Sequence, residues 1–337
     1  MTEEQPEQPI SAEQAVRQAL DAADPAFMAN ELQLALFRSD LIAISDQMRA
    51  RLSGFMHSMV RACSVLIDGV DDGGTSSAAT RQGLPDEESL IASAFVDAPS
   101  LLLLYCRAWE AELVRHAAAS AGYTPEAPPG WTDNARAILT NRQAAFLKNA
   151  GMMHLESGEL SAMQWRRIVL RLTHKISAYR EGREADLRES ARHLLTTHDE
   201  SQARLAQAAM FVDRQSHQPF DHGAWQNYGP TLFLLALADN IAIPFDALIL
   251  ASAMREPLIF GLALLAGRAT AQDVLLIMGE TPMASTWFAS AGKASHFAKV
   301  LADQDSDMAK KHMARWMQDE SEAAPMLFDR WPWGVPQ

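Results

Sequence analysis

The chain has little from which to build a β-sheet. Tyrosine occurs only 4 times in 337 residues, and no stretch alternates strictly between apolar and polar residues between hairpin turns. Half-buried strands need that period of two, so β-structure is expected to be minor. Cysteine occurs 2 times, as Cys63 and Cys106, each inside an apolar run. That reads as buried free thiols in a reducing compartment, not as a disulfide framework. Positive charge is short as well: 29 Lys and Arg face 42 Asp and Glu, a net charge of −13. An acidic surface repels phosphate backbones and anionic lipid, which argues against nucleic acid as a partner. The opening MTEEQPEQPI is acidic and has no apolar run, so it does not read as a signal peptide. The longest apolar run, Leu232–Met254, is broken by Asp239, Asn240, Pro244 and Asp246, which excludes a membrane span there. A cytoplasmic location is the expectation.

The common catalytic signatures are missing too. There is no G-x-G-x-x-G and no G-x-x-x-x-G-K-[ST], so the usual glycine-rich phosphate cradles are absent. Neither G-x-S-x-G nor H-E-x-x-H occurs. A di-iron bundle needs Glu three residues before His on two helices, and none of the 10 histidines has it. No cofactor is expected.

What the chain does have is 48% hydrophobic residues, rich in Ala, Leu and Met, enough for a large core. The organising stretch runs from Tyr228 to Gly292, where short apolar helices follow one another between Gly, Pro and Thr. Pro230, Pro244, Pro257 and Pro282 each stand where a helix can begin, because a first-turn N–H has no partner to lose. Thr270 with Asp273 resembles a capping box, and Thr281 suits an N-cap. Gly267, Gly279 and Gly292 fall where helices should stop. Leu258–Ala266 is apolar nearly all round, so it should be buried on every side.

The N-terminal half reads differently. Residues 1–10 read as a disordered tail, and Ser11 with Gln14 caps a short helix to Ala23. A long helix is expected from Phe27 to Asp68, with apolar positions Leu34, Phe37, Leu41, Ile44, Met48, Leu52, Phe55, Met59, Ala62 and Leu66. That is a heptad rhythm with one extra step. A helix of about 40 residues spans about 60 Å. It reads as half of a hairpin, and its stripe predicts a homodimer through residues 27–68. Residues 69–85 form a linker crowded with Gly, Ser, Asp and Thr, and Gly122–Trp131 a second, Pro-rich loop. Between them helices are expected over 86–97 and 100–121. Later ones are expected over 132–149, 162–179, 184–196 and 200–213, with Ser161 and Gln164 as a capping box. Residues 215–228 read as a polar, aromatic loop. Further helices fall over 293–303 and 306–320, before an aromatic tail, 321–337. This gives an N-terminal hairpin or bundle over 11–121 and a C-terminal all-helical domain over 132–320. The fold class is all-α: a helical bundle or HEAT-like array.

The run EPLIFGLALLAGRATAQDVLLIMGETPMASTWFASAG resembles the C-terminal part of the DUF2336 family, a domain of unknown function in alphaproteobacteria. The resemblance rests on Glu256, Leu264–Ala266–Gly267, Val274–Leu275–Leu276 and Ala291–Gly292, and is best over 229–292. It implies a helical, HEAT-like assembly of bacterial origin with no assigned activity and no catalytic residue to carry over. No helix pairs of constant period are visible in the N-terminal part, where the resemblance fails.

Three clusters carry the remaining chemistry. His217, Asp221 and His222 supply two imidazoles and a carboxylate that could hold zinc, although their spacing matches no familiar ligand pattern and solvated loop residues are the plainer account. Arg166, Arg167 and Arg171 read as the solvated face of a helix. His57 lies mid-helix on the side away from the apolar stripe, with Arg61 one turn ahead and Ser53 one turn behind. An exposed histidine near a cation is how a phosphotransfer histidine is presented, but the sequence shows no carboxylate beside it. The expected function is a non-enzymatic protein–protein interaction protein, a scaffold or regulator in bacterial signalling. One alternative is a histidine phosphotransfer-like module using His57 and Arg61. Another is a small-ligand-binding helical domain lined by Trp225, Tyr228 and Trp287.

Overall fold

The structure, a computed structural model, describes residues 45–68, 85–95, 98–121, 133–212, 220–255 and 257–318. Among them there are fourteen α-helices, two 3-10 turns and no strand. Their order is α1 Asp46–Asp68, α2 Glu87–Ala94, α3 Ala98–Ala121, α4 Asp133–Gly151, α5 Ala162–Ser177, α6 Glu184–Thr197 and α7 Arg204–Val212. Then follow α8 His222–Ile241, α9 Phe245–Ala253, α10 Leu258–Ala266, α11 Ala271–Gly279, α12 Ala284–Trp287, α13 Ala291–Ala302 and α14 Ser306–Gln318. The all-α expectation holds.

The described residues fall into two compact units. One holds residues 45–115 and 133–212, the other 116–121 and 220–318. This division differs from the expected break at 122–131. Helices α4 to α7 share a unit with α1 and α2 because α5 and α6 supply the apolar faces on which α1 rests.

In the first unit α1 packs on α2, α5 and α6. Its buried apolar residues are Met48, Leu52, Phe55, Met59, Val60, Cys63 and Ile67. The stripe therefore leaves the heptad after Met59: Ala62 is exposed and Leu66 is 54% exposed, while Cys63 and Ile67 take the inward positions. A straight helix drifts about 20° per heptad, and α1 follows that drift. Met48 to Met59 are covered within the unit itself. That removes the reason for giving this part of the stripe to a second copy, and residues 27–44 lie outside the described residues. Helix α5 starts at the expected capping box: Ser161 Oγ accepts from Gln164 N, and Ser161 N donates to Gln164 Oε1. Its inner face is Trp165, Ile168, Val169, Leu172 and Ile176.

In the second unit α10 is the centre. All nine of its residues are buried, and it packs against α8, α9, α11, α13 and α14. A Cβ on Gly261 would lie 2.9 Å from Phe297 Cζ, so glycine is what lets α13 approach this closely. Helices α9, α10 and α11 are each 9 residues long and begin at Phe245, Leu258 and Ala271. Thr270 and Asp273 form the expected capping box of α11. Four local expectations fail. Residues 222–228 are no loop: Asp221 Oδ1 accepts from Ala224 N and starts α8 at His222. Helix α8 bends where Gly229 takes φ 73°, and Pro230 begins its second half. Thr281 does not cap: it is buried, and its hydroxyl donates to Met278 O. Helix α12 instead starts after Met283, not at Pro282, and Gly292 opens α13 rather than closing a helix.

Candidate functional site

Helix α1 presents His57 outward. The neighbouring core positions Phe55 and Met59 point inward, and at about 100° per residue His57 falls between them on the far side. Its side chain is 46% exposed. What the sequence could not show is the partner: His57 Nδ1 lies 3.0 Å from Glu87 Oε1 in the first turn of α2. Asp86 caps that turn by accepting from Ser89 N at 2.7 Å, which fixes where Glu87 stands. A carboxylate facing a neutral imidazole accepts from Nδ1–H, and in that tautomer the Nε2 lone pair is open. His57 Nε2 has no partner among the described residues, and neither has the exposed Arg61 one turn on. One turn back, Gly54 touches the segment after α4: an added Cβ would sit 2.3 Å from Met153 Cβ. Ser58 Oγ ties the same segment by accepting from Leu155 N. Met152 and Met153, 61% and 43% exposed, border this part of α1.

A second polar cluster lies deep in the same unit. The guanidinium of Arg204 on α7 donates to both oxygens of Glu110 (2.6 and 3.0 Å), to both of Glu159 (3.0 and 2.8 Å) and to Gln143 Oε1 (2.9 Å). All five of its N–H groups are used. Glu110 also accepts from Arg107 at 2.8 Å. Burial alone would lower the Arg204 pKa, but the charges of Glu110 and Glu159 outweigh it and hold the guanidinium protonated well above its ordinary range. The guanidinium also lies 3.9 Å from the centre of the Phe146 ring. A cleft of about 90 Å³ opens beside it, edged by Arg142, Asn149, His154 and Glu156. Two guanidiniums and two carboxylates balance here, so the cluster ties α3, α7 and the Ser157–Glu159 turn together. Asp68 plays a similar part at the end of α1. Its buried carboxylate accepts from Arg180 at 2.8 Å and from Arg183 at 3.2 Å.

The outer face of α5 is neither wholly polar nor wholly apolar. Met163 and Leu170 are 48% and 46% exposed, seven residues apart and so on one side of the helix. Exposed Arg166 and His174, with half-buried Arg167, lie between and beyond them.

The zinc cluster is not assembled. His217 lies outside the described residues, Asp221 caps α8, and His222 Nε2 pairs with Glu280 Oε1 at 2.7 Å. Among the described residues no group of three or more His, Cys, Asp or Glu is placed to hold a metal ion. Trp225 and Trp287 are core residues. Trp225 meets Phe233 edge-on, and Trp287 packs by Phe260 while its Nε1 donates to Met254 O at 2.8 Å. Tyr228 is half-buried. Comparison with protein-family models, with curated proteins and with solved structures finds no match.

Proposed function

We propose that this chain is a non-enzymatic helical protein that works by binding another protein, in a bacterial signalling or regulatory setting. The setting rests on the resemblance over 229–292. The observation that carries the binding is the outer face of α5, where Met163 and Leu170 stand nearly half exposed among Arg166, Arg167 and His174. A helix surface of this kind receives an amphipathic helix: apolar side chains cover the i, i+7 pair, and flanking charges set partner and orientation. In a chain of net charge −13 a basic, apolar strip is a local exception. Charge complementarity therefore selects an acidic amphipathic helix on the partner.

A photo-crosslinking residue placed at position 170, with position 66 on α1 as the control, tests this in cells of the source organism. The expected result is one protein captured from 170 and not from 66, joined through an acidic helical segment. Capture of nucleic acid or lipid, or equal labelling at both positions, overturns the reading.

A further inference from the structure

We infer that His57 is a phosphoacceptor, modified at Nε2 by a phosphoryl group carried as an aspartyl phosphate on a partner protein. Helices α1 and α2 carry this site and α5 the docking strip, so either reading can fail without the other. Three observations converge. His57 is exposed on a rigid helix, where a second protein can reach it. Glu87 holds Nδ1–H at 3.0 Å, which orients the ring and leaves the Nε2 lone pair as the nucleophile. Arg61, one turn along the same helix and without an ion pair among the described residues, supplies a cation for the phosphoryl oxygens. The carboxylate comes from a different helix, 30 residues away in sequence, which is why α1 alone does not display it.

The step balances without a further reactant. The Nε2 lone pair attacks phosphorus, and the bond between phosphorus and the aspartyl oxygen breaks. That electron pair returns to the aspartate as a carboxylate. The product is a phosphoramidate on an imidazolium whose Nδ1 proton faces Glu87. The positive charge formed on the ring is then beside a carboxylate, so Glu87 stabilises the charge-separated product as well as the tautomer. Glu87 acts through His57 and is a positioning residue. Exposed Met152 and Met153, on the segment packed at Gly54, give an incoming domain an apolar border beside the acceptor.

The test uses the full chain and two small phosphoryl donors, acetyl phosphate (an acyl phosphate) and phosphoramidate. The expected result is one acid-labile, base-stable phosphoryl group mapped to residue 57 by mass spectrometry, and none in His57→Gln. Glu87→Gln should slow incorporation about tenfold, modest for proton placement because both groups are half exposed. Nitrogen-15 spectra supply a readout that a merely structural role would not move. Wild type should show His57 as the Nδ1–H tautomer, and Glu87→Gln should shift it towards the mixture of free imidazole. Both His57 and Glu87 are exposed, so neither change should alter the melting temperature. Incorporation that persists in His57→Gln overturns the inference. So does a His57 tautomer with the proton on Nε2 in the folded wild type.

Discussion

Replacing Glu110 by Gln removes a buried negative charge that faces two guanidiniums, Arg107 and Arg204. The side chains of Arg107, Glu110 and Arg204 are 1%, 0% and 4% exposed, and Glu159 is 10% exposed. In the wild type two positive and two negative charges cancel. In Glu110→Gln, Arg204 keeps Glu159 while Arg107 loses its ion pair with Glu110. Removing one partner of a buried ion pair costs about 3–5 kcal/mol because the other charge is left uncompensated. For a unit of this size each kcal/mol lowers the melting temperature by about 2–4 °C, so a loss of roughly 10 °C is expected. Calorimetry on wild type and variant reads it. The double variant E110Q/R107M should be more stable than the sum of its single changes by about 1–3 kcal/mol, because Arg107 is the cation that loses its ion pair with Glu110 while Arg204 keeps Glu159. A shift below about 2 °C for Glu110→Gln, or strict additivity in the double variant, would refute the view that charge balance holds this cluster.

Three further outcomes follow from the packing. Leu262→Asp or Leu264→Asp places an unpaired charge in α10, whose nine residues are all buried, so either protein should be insoluble or lack a cooperative melt; a soluble, cooperatively melting variant would show α10 not to be central. Both thiols are free and buried, and burial pushes the Cys63 thiol up to about 12, so native protein should resist a thiol reagent at neutral pH while unfolded protein gives two fast thiols. Burial lowers the pKa of His198, which stacks 5.7 Å from Trp165 with its Nε2 unpartnered. Its folded value lies below the unfolded one, so the unfolded state takes up the proton first. Stability is then fully present above about pH 6.5 and is lost as pH falls towards the folded value. Melting at pH 7.5 and 5.5 should show a smaller acid loss in His198→Gln than in wild type.

Local signals carried most of the fold. Ser161 with Gln164 and Thr270 with Asp273 are caps that neighbouring residues complete by themselves, and both were legible. Leu258–Ala266 was legible because nothing but a buried site suits an all-apolar helix. The stripe of α1 was misread beyond Met59, since a heptad template and a straight helix differ by only one residue step there. In sequence Asp221 reads as a solvated loop residue with zinc ligation as the weaker account, although Asp three residues before a helical N–H is also a cap. The polar sites were least legible. Glu110 and Arg204 are 94 residues apart, and His57 and Glu87 are 30 apart, so only tertiary packing brings either pair together. The apolar content of the α5 face was visible as Met163 and Leu170, but only burial of Ile168, Val169 and Leu172 shows which side faces out.

We propose the outer face of α5 as a protein-docking surface. The most direct measurement is the affinity of the partner captured through position 170 for wild type and for the double variant Met163→Glu, Leu170→Glu. Both residues are nearly half exposed, so the melting temperature should stay unchanged. Truncated or reversed anchor residues at an interface cost upwards of 1–2 kcal/mol each, so binding should weaken about a hundredfold or more, and added salt should weaken wild-type binding further. Equal affinity of the two proteins, at equal stability, would contradict the account.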